Sequence, residues 1–128
     1  DWLTRSGQPV DLKTTKDASD DAFGKSVMNY RYHVQDVFYC DVWEWAFGEQ
    51  PPQMLFLAVE SDMPHCTAIH RIPHDFRQYA RKVYRADLNR YAECLESGEW
   101  PGLPGEPHTT QMPGWAIALV ENEMELTV

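Results

Sequence analysis

The chain has 128 residues, of which 43% are hydrophobic, and its 11 Lys and Arg against 20 Asp and Glu give a formal net charge of −9. This size and apolar content are typical of one globular domain and exclude a wholly disordered chain. The charge also excludes a protein that coats nucleic acid generally, because such binding depends on many Lys and Arg contacts to phosphate. The longest apolar runs, Met54 to Val59 and Trp115 to Val120, are far shorter than the roughly 20 residues of a membrane span, so we expect no membrane association.

Cysteine usage indicates the redox compartment. The three cysteines, Cys40, Cys66 and Cys94, are widely spaced and form no CxxC pair. An odd number of such cysteines is typical of a reducing compartment and argues against a zinc ribbon or a four-cysteine iron–sulfur site. We therefore expect a cytoplasmic protein.

A β-hairpin and a helix are predicted at the start of the chain. Asp1 to Arg5 and Pro9 to Thr14 have the character of two short strands, and Gly7 lies in the turn between them. After a polar loop, Ser19 precedes two acidic residues and can cap a helix that carries Phe23. The predicted order is therefore strand, strand, helix.

A long aromatic helix is predicted from Tyr30 to Phe47. Aromatic side chains recur there at mixed helical spacings, and Gly48 follows the last of them. Their density favours a helix that is buried on more than one side. We interpret the group formed by Trp43, Trp45 and Phe47 as core or oligomer interface.

Two strands are predicted next. Met54 to Val59 is a continuous apolar run, which is typical of a central strand covered on both faces. Cys66 to Ile72 is interpreted as its neighbour, with a turn at Asp62 to Pro64 between them.

A second long helix is predicted from Pro73 to Gly98. Its predicted buried stripe consists of Phe76, Ala80, Val83, Leu88, Tyr91 and Leu95. A Pro- and Gly-rich loop from Trp100 to Pro113 follows, long enough to suggest a functional or mobile segment. Trp115 to Val120 predicts a last short helix, and Glu121 to Val128 an acidic tail.

The triplet Asp11-Leu12-Lys13 lies on the second predicted strand. Side chains two apart on a strand point to the same face, so a carboxylate and an ammonium are held side by side. A divalent cation prefers carboxylate oxygens and waters, and an adjacent Lys can orient water or offset phosphate charge. Asp1, at the other end of the hairpin, can supply a second carboxylate. An isolated acidic-x-Lys triplet is more often an ordinary exposed pair on a polar edge.

A second polar pair lies on the aromatic helix. Gln35 and Tyr39 are four residues apart and share one helix face. An amide and a phenol on an otherwise apolar helix can hydrogen-bond a DNA backbone or metal-bound carboxylates. The alternative is core packing with a satisfied hydroxyl.

The second long helix carries a basic stripe. Arg77, Arg81 and Arg85 are spaced four apart in an otherwise acidic protein. The stripe can contact phosphates, or it can be a solvated face opposite the apolar one.

The series formed by Asp1, then Asp11 to Thr15, then Gln35-x-x-x-Tyr39 resembles the restriction-endonuclease-like, PD-(D/E)xK, superfamily of nucleases. It is especially similar to the nuclease domains of the exonuclease VIII (RecE) family of phage-type recombination. The segments that carry the closer likeness are Tyr30 to Tyr39, Glu99 to Pro101 and Pro113 to Ala116.

The resemblance implies an α/β fold with a mixed central sheet flanked by helices. It gives a nuclease domain over residues 1–116 and an acidic C-terminal tail over residues 117–128. Family domains carry a further helical region and a first strand before the position of Asp1, with a His and a Glu that join the metal site. We therefore expect the C-terminal part of a restriction-endonuclease-like domain, lacking its first helical region and strand.

The activity that the resemblance implies is that of a Mg²⁺-dependent 5′-to-3′ exodeoxyribonuclease on linear double-stranded DNA. It would leave 3′ single-stranded ends for recombination by strand annealing. The expected partner is a RecT-type annealing protein, and the expected assembly is a toroidal homo-oligomer around DNA. Two alternatives stay open: another nuclease of the superfamily, such as a repair or helicase-linked endonuclease, and a non-catalytic fragment that binds DNA or a partner.

Site residues follow from the resemblance residue by residue. Asp1 and Asp11 are implied as ligands of Mg²⁺, for which Mn²⁺ is expected to substitute, with the backbone carbonyl of Leu12 completing the site. Lys13 would act on the attacking water or the scissile phosphate. The predicted catalytic residues are Asp1, Asp11, Lys13, Gln35 and Tyr39. The predicted DNA contacts are Gln35 and Tyr39 and, from the spacing of the basic stripe and not from the resemblance, Arg77, Arg81 and Arg85.

Overall fold

A computed structural model of the chain describes residues 1–103, 105–107 and 109–125. The chain divides after Ser97 into two compact units. The elements of the first unit, residues 1–97, are β1 (Trp2–Leu3), β2 (Pro9–Thr15), α1 (Asp20–Asn29), α2 (Tyr32–Phe47), β3 (Leu55–Glu60), β4 (Thr67–His70) and α3 (His74–Ser97). The predicted hairpin, helices and neighbouring strands are thus confirmed in kind and in order.

The four strands form one mixed sheet in the order β1-β2-β3-β4. β1 is antiparallel to β2, β2 is parallel to β3, and β3 is antiparallel to β4. Asp11 lies opposite Phe56 and Lys13 opposite Ala58. Because side chains alternate along a strand, the acidic and basic side chains share a sheet face with two buried apolar residues.

The core lies on that same face of the sheet. Phe56 and Ala58 of β3 are fully buried and pack with Phe23 and Val27 of α1. Burying side chains of this size stabilises a fold by roughly 1.5–3 kcal/mol each. The core therefore fixes the position of β3, and through the strand pairing that of Asp11.

The opposite sheet face is less covered than predicted. Leu12, Leu57 and Ile69 are aligned across β2, β3 and β4 by the strand register. Leu12 is 52% exposed and Ile69 is 68% exposed, whereas Leu57 is half-buried. The prediction that the central strand is covered on both faces is wrong for this face in the described part of the chain. The apolar run specified a central strand but not what packs on each side.

Helix α2 begins two residues later than predicted and is buried along one side. Arg31 adopts a left-handed backbone conformation with φ of 59°, which separates α1 from α2, and Gly48 ends α2 with φ of 77°. Trp45 is 87% exposed and Phe47 is 67% exposed, so the predicted burial on more than one side is wrong. An interface between copies at Trp43, Trp45 and Phe47 stays a prediction.

Helices α2 and α3 are joined by charged pairs at their interface. The Arg77 Nε donates to Asp36 Oδ2 at 2.8 Å, and Asp36 is fully buried. Burial raises the pKa of Asp36 above its ordinary value despite the nearby guanidinium. One helical turn further along, Arg81 donates to both carboxylate oxygens of Asp41 at 2.9–3.1 Å. These pairs set the register between the two helices.

The remaining surface of α3 is more exposed than predicted. Within the predicted buried stripe, Ala80 is buried and Val83 is half-buried. The other members are between 41% and 58% exposed: Phe76, Leu88, Tyr91 and Leu95. The periodicity located an apolar helix face, but four of its six members are more exposed than a buried stripe requires.

The second unit begins at Gly98 and contains α4 (Gly114–Glu125). Its predicted loop contains no helix or strand among the described residues of 98–113. Residues 104 and 108 of the predicted loop, and residues 126–128 of the predicted tail, lie outside the described residues. The last helix is longer than predicted and includes the start of the acidic tail. Among the described helices, none combines the length and apolarity needed to cross a bilayer.

Replacing Asp41 by Asn tests the joint between α2 and α3. Burial would raise the pKa of Asp41, but hydrogen bonds from Arg81 and Tyr84 outweigh this effect and lower it. A lowered folded-state pKa gives stability that is present above about pH 4 and is lost as the pH falls through that pKa. We expect Asp41→Asn to lower the free energy of unfolding by about 1–2 kcal/mol at neutral pH, and the difference to shrink at about pH 3.

Urea unfolding at the two pH values measures this difference. Glu49→Gln, at an exposed position, is the matched control and should leave the urea midpoint unchanged. An equal loss of stability at both pH values for Asp41→Asn would contradict the ion-pair explanation.

Candidate active site

Asp11 and Lys13 meet on the helix-covered side of the sheet, as their spacing predicts. Asp11 is buried, and the side chain of Lys13 is 18% exposed. The Lys13 ammonium lies 2.6 Å from Asp11 Oδ2. The alternative of an ordinary exposed pair on a polar edge is therefore wrong.

Gln35 links this pair to α2. Its amide nitrogen donates to Asp11 Oδ1 at 2.8 Å, and its amide oxygen accepts from the Lys13 ammonium at 3.0 Å. One amide thus contacts both charges, and each of its two ends meets the partner that its polarity requires. The structure brings Asp11, Lys13 and Gln35 together as predicted.

Tyr39 lies one helical turn beyond Gln35 on the same helix. It is 52% exposed. Its ring packs near Phe38 at a centroid distance of 6.3 Å. Among the contacts of the described residues, none joins its hydroxyl to Asp11 or Lys13, so its predicted catalytic role stays a prediction.

Asp1 lies beside Asp11 across the hairpin. Its nitrogen donates to the Val10 carbonyl at 3.3 Å, and its carboxylate Oδ2 accepts from the Leu12 backbone nitrogen at 2.9 Å. These two contacts follow from the antiparallel pairing of Trp2 with Val10. The hairpin therefore places an exposed carboxylate next to the buried one.

The donor set fits a hard divalent cation. Asp11 Oδ2 is buried and forms an ion pair with the Lys13 ammonium at 2.6 Å, but it receives no directed hydrogen bond from the part of the chain that the structure describes. Within the described ranges, no three His, Cys, Asp or Glu side chains converge as a metal site. Magnesium, however, is commonly held by one or two carboxylates and several waters. Asp1 and Asp11 would supply the carboxylates, and the Leu12 carbonyl remains the predicted third ligand.

Tyr32 is a neighbour of the site that the sequence analysis missed. The Lys13 ammonium lies 4.4 Å from the centroid of its ring. Tyr32 precedes Gln35 by three residues, and residues three apart on a helix are neighbours on its surface. That spacing is the signal that could have identified it.

Two arginines of the predicted basic stripe form ion pairs at the interface between α2 and α3. Arg77 pairs with Asp36, and Arg81 pairs with Asp41. Arg85 also lies close enough to lower the pKa of Asp41, after the larger effects of burial and of the hydrogen bonds to that carboxyl. The solvated face offered as the alternative is wrong for Arg77 and Arg81, whose side chains are 16% and 22% exposed. Phosphate contact by any of the three stays a prediction.

A comparison with known protein families identifies the family of this chain. Residues 1–111 match the family described as "PDDEXK-like domain of unknown function (DUF3799)". The chain belongs to this PDDEXK-like family. The matched range contains all of Asp1, Asp11, Lys13 and Gln35. Membership confirms the predicted restriction-endonuclease-like superfamily, and the observed sheet and helices confirm its α/β fold.

A solved structure shows the same fold. The chain is similar to the crystal structure of a protein from Eubacterium rectale named "Putative exonuclease", with a TM-score of 0.55 and 18% sequence identity. The alignment covers 86% of this chain and 46% of that chain, so this chain spans less than half of that protein's length. A comparison with curated proteins found no match.

Removing the amide of Gln35 tests the linkage at the site. We expect Gln35→Ala to lower the free energy of unfolding by about 1–3 kcal/mol, because the buried Asp11 Oδ1 loses its donor. Urea unfolding at neutral pH measures the loss. Gln50→Ala is the matched control, since Gln50 is exposed and donates to Glu44 at the surface. Equal midpoints for the two variants would contradict the described geometry.

Proposed function

We propose that this chain hydrolyses phosphodiester bonds of DNA with a divalent metal ion. We further propose that it acts as a Mg²⁺-dependent 5′-to-3′ exonuclease on linear duplexes. The observation that carries the proposal is the buried Asp11 Oδ2, whose contact within the described residues is the Lys13 ammonium at 2.6 Å and which receives no directed hydrogen bond from them. In a PDDEXK-like domain, this arrangement supports a metal-dependent nuclease better than a purely structural ion pair.

Asp11 and Asp1 would hold the ion, Mg²⁺ with Mn²⁺ as a substitute. When bound, a divalent ion lowers the pKa of a water molecule and stabilises charge on the phosphate. The side chains of the chain then have separate tasks. The Lys13 ammonium orients the attacking water or offsets the negative charge that develops on the phosphate. Gln35 fixes the directions of Asp11 and Lys13 at once, because its amide bonds to both.

The exonuclease direction rests on similarity. The Eubacterium rectale protein of the same fold is named an exonuclease. The sequence also resembles the exonuclease VIII family, which degrades one strand from its 5′ end. On the same grounds we propose that the 3′ single strands serve a RecT-type annealing protein, that the chain forms a toroidal oligomer around double-stranded DNA, and that it acts in the cytoplasm.

Digestion of two DNA substrates tests the proposal. End-labelled linear duplex and covalently closed circular duplex are incubated with the chain and Mg²⁺. We expect mononucleotides released from the 5′ ends of the linear duplex, no cutting of the circle, and no release when the metal is chelated. Asp11→Asn should lower the rate by at least about a hundredfold, since it weakens metal binding.

Asp62→Asn, in an exposed turn, is the control and should keep the wild-type rate. Full activity of Asp11→Asn would refute the role of this carboxylate. Cutting of the closed circle would indicate an endonuclease of the superfamily instead. DNA binding without any hydrolysis by the wild-type chain would indicate a non-catalytic binding module.

A further inference from the structure

We propose that Tyr32 positions Lys13 for the reaction, by holding its ammonium over the ring face beside Asp11. The inference rests on the proposed function, since it assigns Lys13 a role in hydrolysis. Tyr32 would not contact the reacting atoms. It is a positioning residue that acts through Lys13.

Among the described residues, the Lys13 ammonium contacts three side chains. Asp11 Oδ2 lies at 2.6 Å, Gln35 Oε1 at 3.0 Å, and the centroid of the Tyr32 ring at 4.4 Å. A cation within about 6 Å of an aromatic centroid is attracted by the ring quadrupole. The contact with Tyr32 is therefore attractive in its own right and does more than fill space.

The Tyr32 ring is itself held by the core. It stacks on Phe56 with a centroid distance of 5.8 Å and an angle of 19° between the ring planes, and it packs on Phe23 at a centroid distance of 6.0 Å. Phe56 is fully buried, and Phe23 is 2% exposed. Tyr30 stacks on Tyr32 at 5.6 Å from the solvent side. A lysine side chain is flexible, but this ring is part of a packed cluster that leaves it little freedom.

The contact with the Tyr32 ring would matter most when Asp11 binds a cation. If Asp11 held a cation, its carboxylate would neutralise Lys13 less completely, and the pair between Asp11 and Lys13 would weaken. Gln35 and Tyr32 are then the two described contacts that keep the ammonium in place. The Gln35 amide oxygen accepts a hydrogen bond from one N–H of the ammonium. The ring attracts the charge as a whole and does not fix the direction of any single N–H. Lys13 can therefore turn a proton toward water or phosphate without leaving its position.

An NMR measurement tests the contact without any need for turnover. The chain has four lysines, Lys13, Lys16, Lys25 and Lys82, so ¹³C-labelled lysine gives few signals. A methylene group above a ring face is shifted upfield by the ring current. We expect one upfield-shifted ε-methylene signal in the wild type, which disappears in Lys13→Arg. The signal should persist in Tyr32→Phe, which keeps the ring, and move to the normal lysine region in Tyr32→Leu.

Kinetics of the same variants test the role in hydrolysis. We expect kcat to fall about tenfold or more in Tyr32→Leu with KM unchanged, because Lys13 is misplaced in the transition state. Tyr32→Phe should restore kcat. Ile72→Val is the matched control for damage to the core, because Ile72 belongs to the same buried cluster but is not one of the rings that pack on Tyr32. It should keep the shifted signal and a kcat within about twofold of wild type.

The outcomes separate this proposal from the proposed function. An unshifted Lys13 signal in the wild type overturns the positioning proposal, and so does full activity of Tyr32→Leu. Loss of activity in Ile72→Val equal to that in Tyr32→Leu also overturns it, since general core damage then explains both. Absence of hydrolysis by the wild type with a shifted Lys13 signal overturns the proposed function, and with it the role of Tyr32 in hydrolysis, while the contact between the ring and Lys13 stands.

Discussion

The structure of the site depends on one buried carboxylate. Asp11 is removed from water on the core side of the sheet, where an unpaired charge is costly. One oxygen is satisfied by Gln35, and the other faces only the Lys13 ammonium. Each of these partners comes from an element whose position the core determines, β2 for Lys13 and α2 for Gln35. The arrangement is stable enough to form in the fold, and it leaves one oxygen available to a cation.

Strand pairing, the turn at Arg31 and the ion pairs with α3 hold this arrangement in place. Parallel pairing of β2 with the apolar β3 places Asp11 over the core, and the antiparallel hairpin places Asp1 beside it. The left-handed residue Arg31 lets α2 start in a new direction after α1. The pairs that Arg77 and Arg81 make with acidic residues of α2 hold α3 against it. The helix that carries Gln35 is thus held by two sets of contacts, those of Tyr32 with the core and the ion pairs with α3.

Much of this could be predicted from sequence, because the informative signals are local. Period-two spacing placed Asp11 and Lys13 together, helical spacing placed Gln35 and Tyr39 on one helix face, and the resemblance to PD-(D/E)xK nucleases implied that Gln35 belongs to the same site. The errors concern partners distant in sequence. Nothing local shows that Arg77 pairs with Asp36, 41 residues earlier, so the arginines were interpreted as phosphate contacts or a solvated face. Likewise, apolar periodicity identified faces on β3 and α3 without showing whether anything covers them. Tyr32 was missed because its spacing of three residues from Gln35 does not single it out, since Phe38 lies at the same spacing on the other side.

The most direct test of the central claim is a crystal structure of the chain grown with Mn²⁺, whose anomalous scattering locates the ion. We expect an anomalous peak for Mn²⁺ at about 2 Å from carboxylate oxygens of Asp11 and Asp1, with the Lys13 ammonium still beside Gln35 and above the Tyr32 ring. An Asp11 carboxylate that contacts only Lys13 and Gln35, with no ion at this position in saturating Mn²⁺, would contradict it.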